Sequence, residues 1–438
     1  MLLPEADQAK TKNLLLERFI QEPVPLVKKN IADVIGQLGK ILIPQKAWPE
    51  LFQLVFEYTQ AEDLTRKELA MMLLSVMIEY FSASDIATYY DQLNPIIKQY
   101  LQSNHGSLKR LAVVTVNNLT QTGHAVKVLK QYPDLIPLVL NAIDIEQEDL
   151  IQTIFETLTD FFETPKVLKP HLSLLIEASV NLSMKSDLAL NVRSTTIYFL
   201  EQLGDTFSKY LVRRDMPALR KIIECGCTIV CEDVSEYPAE EENPVDLALI
   251  MLYSYASEIP NEIAYPLFKA AIMNLCSDQT APAKCRGGLK ILGQVCDSDA
   301  LLDPIKDDVD LYTDLLVASL QHPSQEVREA GCVTIGDFSE NVIPDFLDQH
   351  TKVMPVLLQV LERQIDDATR SEEQASNAER AIYALSEFAA NMVEYEIKPY
   401  LNKSLEICMA YLNGPTQHRK VKYMALTALS AIIIAAEF

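Results

Sequence analysis

The sequence predicts an all-α chain, a right-handed superhelical solenoid of about ten helical hairpins running as one continuous domain over residues 1–438. Three observations predict it. An apolar residue followed by a basic one, with a second apolar residue eleven positions after the first, recurs along the whole chain at about the length of a helical hairpin. Only 12 glycines occur in 438 residues, less than half the usual ~7%, and glycine is what tight strand turns most need. The 22 prolines fall largely where a helix should begin or has just ended, as in Trp48-Pro49, Ile136-Pro137, Ile343-Pro344 and Met354-Pro355.

Taken in order, the recurring phrase reads Val27-Lys28 with Leu38, Thr65-Arg66 with Val76, Leu108-Lys109 with Leu119, and Val192-Arg193 with Leu203. Later copies read Val327-Arg328 with Phe338 and Val421-Lys422 with Ile432. Leu150 with Phe161, Lys284 with Val295 and Asn377 with Phe388 lack the basic residue at the expected place, and a degenerate copy lies near Pro244. The anchors are 38 to 52 residues apart, which matches the roughly 40 to 47 residues of HEAT and armadillo repeats. Each anchor opens the second helix of a pair. First helices of similar length lie upstream over 48–59, 135–143, 168–181, 311–320 and 353–363, where apolar residues recur at three and four. No such hairpin buries its apolar face alone, so neighbours stack into one core and leave a long surface for partners.

The basic member of each phrase is expected to reach the next repeat and pair with its carboxylates or helix carbonyls. Arg193 and Arg328 are therefore structural rather than partner-binding. Further along the second helices, Asp33, Asp160, Glu201, Asp337, Glu340 and Glu387 fall on the polar side. If those helices line the concave face, the carboxylates form a ladder for Lys and Arg side chains; taken singly, each is a solvated charge.

Two intervals are too long and hold acidic insertions, at about 232–243 and 363–374. The first contains Glu232, Asp233, Glu236, Glu240, Glu241 and Glu242, and reads either as a clamp on a basic partner or as a solvated connector. The second carries both signs and reads as a plain loop. The formal charge of −23, from 38 basic and 61 acidic side chains, favours basic partners over nucleic acid or anionic lipid. It also keeps an apolar-cored solenoid in solution.

Catalytic parts are missing. The six histidines are scattered, with no HExxH pair and no glycine-rich phosphate loop, so neither an enzyme nor a bound cofactor is expected. Of the eight cysteines, Cys225, Cys227 and Cys231 are the densest group, but offsets of two and six on a helix do not converge on a zinc ion. The N-terminus lacks the basic start and apolar core of a signal peptide, and the most apolar run, 424–436, is too short for a membrane span. The expected location is cytosolic or nuclear. That last helix is apolar on nearly every face, so either self-association through it or a continuation of the chain is expected.

The order of these repeats resembles the importin-beta superfamily. The segment 323–341, with Val327-Arg328-Glu329-Ala330 and Asp337-Phe338-Ser339-Glu340-Asn341, carries the resemblance, as does Tyr383-Ala384-Leu385-Ser386-Glu387-Phe388. Residues 398–401 through 420–432, and 47–51 with the helix that follows, are similar to the importin four branch. The resemblance implies a nuclear transport receptor, shuttling between cytoplasm and nucleus, that wraps basic cargo such as histones or ribosomal proteins. It implies release of cargo by the GTP form of the small GTPase Ran, and weak binding of phenylalanine-glycine nucleoporins in grooves of the convex surface. The acidic segment 232–242 sits where this branch carries an acidic insertion. Family members are about twice as long, so the resemblance implies a partial-length member without the first repeats that hold much of Ran. The rivals are a scaffold of the phosphatase-regulatory kind and an acidic histone chaperone without nucleotide control.

Overall fold

The computed structural model describes residues 4–81, 83–121, 134–233, 237, 243–367, 372–414 and 418–437. Every regular element among them is a helix, and none is long and apolar enough to cross a membrane. The chain divides into two compact units, Met1–Gln202 and Leu203–Phe438.

In the first unit, first helices α1 (Glu5–Gln21), α3 (Pro49–Thr59), α5 (Ala83–Leu101) and α7 (Leu135–Asn141) alternate with second helices α2 (Pro25–Leu42), α4 (Leu64–Ile78), α6 (Gly106–Gln121) and α8 (Glu148–Asp160). The short α9 (Pro165–Leu168), α10 (Leu172–Ser183) and the start of α11 (Leu190–Arg214) complete it. In the second unit, the rest of α11 is followed by α12 (Met216–Ile229), α13 (Pro244–Glu258), α14 (Asn261–Ser277), α15 (Pro282–Val295), α16 (Asp299–Asp307), α17 (Val309–Leu320) and α18 (Gln325–Asn341). Then come α19 (His350–Asp367), α20 (Glu372–Ala390), α21 (Glu394–Ile397), α22 (Leu401–Asn413) and α23 (Arg419–Glu437). Within each unit the second helices pack side by side: α2, α4, α6 and α8 form one layer, and α13, α15, α18, α20 and α23 the other.

Helix starts follow local chemistry. Proline occupies the first turn of α2, α3, α12, α13 and α15, where a missing N–H costs nothing. Asp63, Asp215 and Asn243 cap α4, α12 and α13 by accepting from backbone N–H groups two or three residues on. Pro355 departs from the expectation, since α19 starts five residues before it and carries it inside the helix. The insertion expected over 363–374 is also shorter, because α19 continues to Asp367 and α20 begins at Glu372.

All ten anchors fall inside second helices. Leu108, Leu150, Val192, Val327 and Val421 enter the core as expected. Val27, 41% exposed, and Thr65, also exposed, do not. The copy at Lys284 is displaced by one residue: Cys285 is buried, Arg286 takes the basic place, and Cys296 is the buried second member. On its other face, α23 leaves Tyr423, Leu426, Ile433 and Ile434 exposed.

The basic residues act differently from the expected ladder. Arg193, 1% exposed, donates from Nε to Ser183 O at 3.0 Å, and Arg328 donates to His322 O and Pro323 O at 2.7 and 2.8 Å. Arg193 binds the carbonyl that ends the first helix of its own hairpin, where the helix dipole is negative, and Arg328 binds two linker carbonyls just past the end of α17. Successive repeats are tied by other side chains. Asn118 donates to Ser75 O at 2.9 Å and Asn391 to Ser339 O at 3.0 Å. Tyr100 and Tyr411 donate to Thr59 O and Leu361 O, one repeat back in each case.

Candidate functional site

The second-helix layer of the second unit brings α15, α18 and α20 close enough to mix their polar residues. Two glycines permit this approach. A Cβ on Gly293 would lie 2.4 Å from Asp337 Oδ2, and one on Gly336 would lie 2.3 Å from the ring of Tyr383. Asp337 therefore lies against α15, and Tyr383 against α18. Asp297, just past α15, and Glu340 and Glu387 complete a cluster of four carboxylates; Asp297 and Glu340 are exposed, Asp337 and Glu387 half-buried.

Their electrostatics are those of mutually repelling anions. Burial, then Glu340 and Asp297, push the Asp337 carboxyl up to about 6 from an ordinary 3.8. Burial and then Glu340 raise Glu387. Burial and then Asp337, Glu387 and Glu340 push the Tyr383 phenol up to about 12. None of the ion pairs among the described residues includes any of the four carboxylates. The arrangement offers anionic oxygen to a cation from outside.

One consequence concerns stability. The folded chain binds the Asp337 proton at higher pH than the unfolded chain, so this group makes the fold less stable as pH rises from about 4 through 6. Asp337→Asn is expected to stabilise the second unit by about 1–2 kcal/mol at pH 7, with the gain shrinking toward zero near pH 4. Urea unfolding of the two chains at both pH values checks this; an equal gain at both, or a loss at pH 7, would contradict it.

The sequence-predicted residues divide by location. Asp337, Glu340 and Glu387 come together, whereas Asp33, Asp160 and Glu201 lie in the first unit on α2, α8 and α11. Glu232 and Asp233 follow α12. There Glu232 accepts from the Tyr237 hydroxyl at 2.7 Å, and the carbonyls of Cys231 and Glu232 accept from Arg286 at 3.0 and 2.6 Å. Glu236, Glu240, Glu241 and Glu242 lie outside the described residues. Asp297 and Tyr383 were missed, although Asp297 stands thirteen residues after Lys284 just as Glu340 stands thirteen after Val327. Of the three clustered cysteines, Cys225 and Cys227 are buried. Burial pushes the Cys227 thiol up to about 12, which keeps it protonated and unreactive.

Two clefts lie among the described residues, one in each unit. A groove of about 450 Å³ separates first helices α12 and α14, with Ile223, Cys227, Leu267, Ala271 and Leu275 on its walls and Arg220 and Glu224 beside them. A cleft of about 760 Å³ lies near the starts of α4, α6 and α8. There Glu68 accepts from Ser107, and Glu148 accepts from the Ala189 N–H at 3.1 Å, so those two carboxylates serve the fold.

A family profile described as "IPO5-like, TPR repeats" matches residues 23–178. Importin subunit beta-3 of Saccharomyces cerevisiae is 22% identical over 98% of this chain and 39% of its own length. Importin-4 of Mus musculus is 24% identical over 82% of this chain and 34% of its own. The crystal structure of Kap121p bound to Pho4p superposes with a TM-score of 0.82 at 18% identity, covering 99% of this chain and 42% of that one; the likeness confirms a HEAT-type stack of hairpins. The chain thus spans between a third and two fifths of the length of these curated relatives. A profile match over residues 23–178, sequence similarity along nearly the whole chain and the shared fold make this chain similar to the importins.

Proposed function

We propose that this chain serves nuclear import, as a receptor or part of one that binds basic cargo on the second-helix layer and releases it to the GTP form of Ran. The carrying observation is the cluster of Asp297, Asp337, Glu340 and Glu387, four carboxylates that no ion pair among the described residues neutralises. A lysine or arginine of the cargo enters it and offsets the burial and repulsion that raise Asp337. Glu232, Asp233, Glu236, Glu240, Glu241 and Glu242 add negative field, so histone tails and ribosomal proteins are the cargo class this charge suits. The apolar groove between α12 and α14 suits a phenylalanine side chain of a nucleoporin repeat. The similar protein Kap121p has been crystallised bound to RanGTP and to Nup53p, which supports both partners, and shuttling through the nuclear pore follows from them.

The test is capture of a lysine-rich histone-tail peptide by the immobilised chain, at two salt concentrations, with excess Ran loaded with GTP or GDP. Salt-sensitive capture that the GTP form alone reverses is expected. Capture indifferent to Ran would leave an acidic chaperone, and no capture would leave a scaffold.

A further inference from the structure

The helices that carry or lead into the carboxylates also carry cations, about two turns earlier. Lys290 precedes Asp297, and Arg380 precedes Glu387, each by seven residues. At 3.6 residues per turn and 1.5 Å per residue, seven residues return to one face and advance about 10 Å. The face is therefore divided, with cations near the middle of α15 and α20 and carboxylates at or just past their C-terminal ends. Val333 and Tyr383, both half-buried, lie at intermediate heights.

The two cations remain available. Arg380 is held by Glu329 of α18 at 2.5 Å, yet keeps 47% of its side chain exposed. Lys290 is half-buried and takes part in none of the ion pairs among the described residues. Burial, then Arg286, with Arg380 adding and Asp246 opposing, lowers its ammonium pKa. Arg286 supplies fixed positive charge rather than a free donor, because Glu326 at 2.8 Å and the Cys231 and Glu232 carbonyls occupy its guanidinium.

We infer that this face reads a partner segment carrying both charges: an extended stretch with an acidic side chain on Lys290 and Arg380, and a lysine or arginine three residues away on Asp297, Asp337, Glu340 and Glu387. An extended chain advances about 3.3 Å per residue, so three residues span the ~10 Å between the rows. A uniformly basic segment meets repulsion at Lys290, which makes the cation row a filter among basic partners. The inference rests on the proposed binding of basic cargo to the same carboxylates.

The experiment compares labelled peptides of one length by fluorescence anisotropy against the full chain. One carries glutamate three residues from lysine, one glutamine at that place, and one glutamate adjacent to the lysine. The first is expected to bind roughly fivefold tighter than the other two, the scale of one or two partly shielded charge pairs. Lys290→Ala should abolish that preference while leaving the glutamine peptide's affinity within about twofold, and Lys290→Arg should restore it. Equal binding of the glutamate and glutamine peptides, or a preference that survives in Lys290→Ala, overturns the filter but leaves cargo binding intact. Failure of every peptide to bind overturns both.

Discussion

Phe338→Ala is expected to destabilise the second unit by about 3–5 kcal/mol, the range for emptying a buried aromatic site. Phe338 is fully buried on α18, and its ring centroid lies 6.0 Å from Tyr312 and 5.3 Å from Phe346, both edge-on. Phe346 in turn meets Phe388 of α20 at 5.4 Å. One side chain thus joins α17 to the segment after α18, which Phe346 in turn joins to α20, and its loss opens a cavity that stacked rigid helices close poorly. A solenoid's stability is roughly a sum of repeats and nearest-neighbour interfaces, so the damage should be local. Hydrogen exchange should speed in α18 and α20 and stay nearly unchanged in α3 to α6. Phe338→Leu keeps much of the volume and is expected to cost less, about 1–2 kcal/mol. A urea series showing under ~1 kcal/mol for the alanine chain would mean that the rings contribute no more than an ordinary surface contact.

How far the fold is legible depends on what each residue does in the stack. Most apolar members of the repeat phrase are legible because they are buried at a fixed height: Leu119, Leu203, Phe338 and Ile432 are buried, whereas Leu38 and Val76 are half-buried and Val27 is exposed. The basic member is legible as structural but not in its partner. The carbonyl that ends the preceding helix lies within reach of Arg193, and linker carbonyls just beyond it within reach of Arg328, so each guanidinium is held inside its own hairpin. Register fails where a repeat substitutes its anchor, as at Lys284, since burial there falls on Cys285 and charge on Arg286.

The site is legible along a helix and obscure across helices. Asp337 and Glu340 are one turn apart, and Glu387 follows Asp337 by fifty residues, the interval between their anchors, so equal positions in adjacent repeats meet. Asp297 escaped because it follows the end of α15, in the repeat whose phrase is displaced. Tyr383 escaped because a tyrosine on a second helix reads as core, whereas here the absent side chain of Gly336 draws its ring across to α18. The groove between α12 and α14 is lined partly by Ala270 and Ala271, residues whose sequence signal does not differ from that of any packed helix.

Replacing Asp337 by asparagine together with Glu340→Lys and Glu387→Lys should lower affinity for a lysine-rich peptide on the order of 100-fold, more than an exposed pair supplies by itself. Asparagine is chosen at 337 because that side chain lies against Gly293, and a lysine there would meet α15. Glu340 is exposed and Glu387 half-buried, so their reversal alters the field more than the packing. Two of the three attractions become repulsions, and the third becomes neutral. The salt slope should flatten as well, because screening acts on the attraction that has been removed. Stability should move the other way: burial and its anionic neighbours disfavour the charged Asp337, and relieving that repulsion favours the fold. A variant that unfolds no earlier than the natural chain yet no longer holds the peptide would separate binding from folding at one cluster. An affinity within about threefold of the natural chain's, with the circular dichroism spectrum intact, would move the basic partner off α15, α18 and α20.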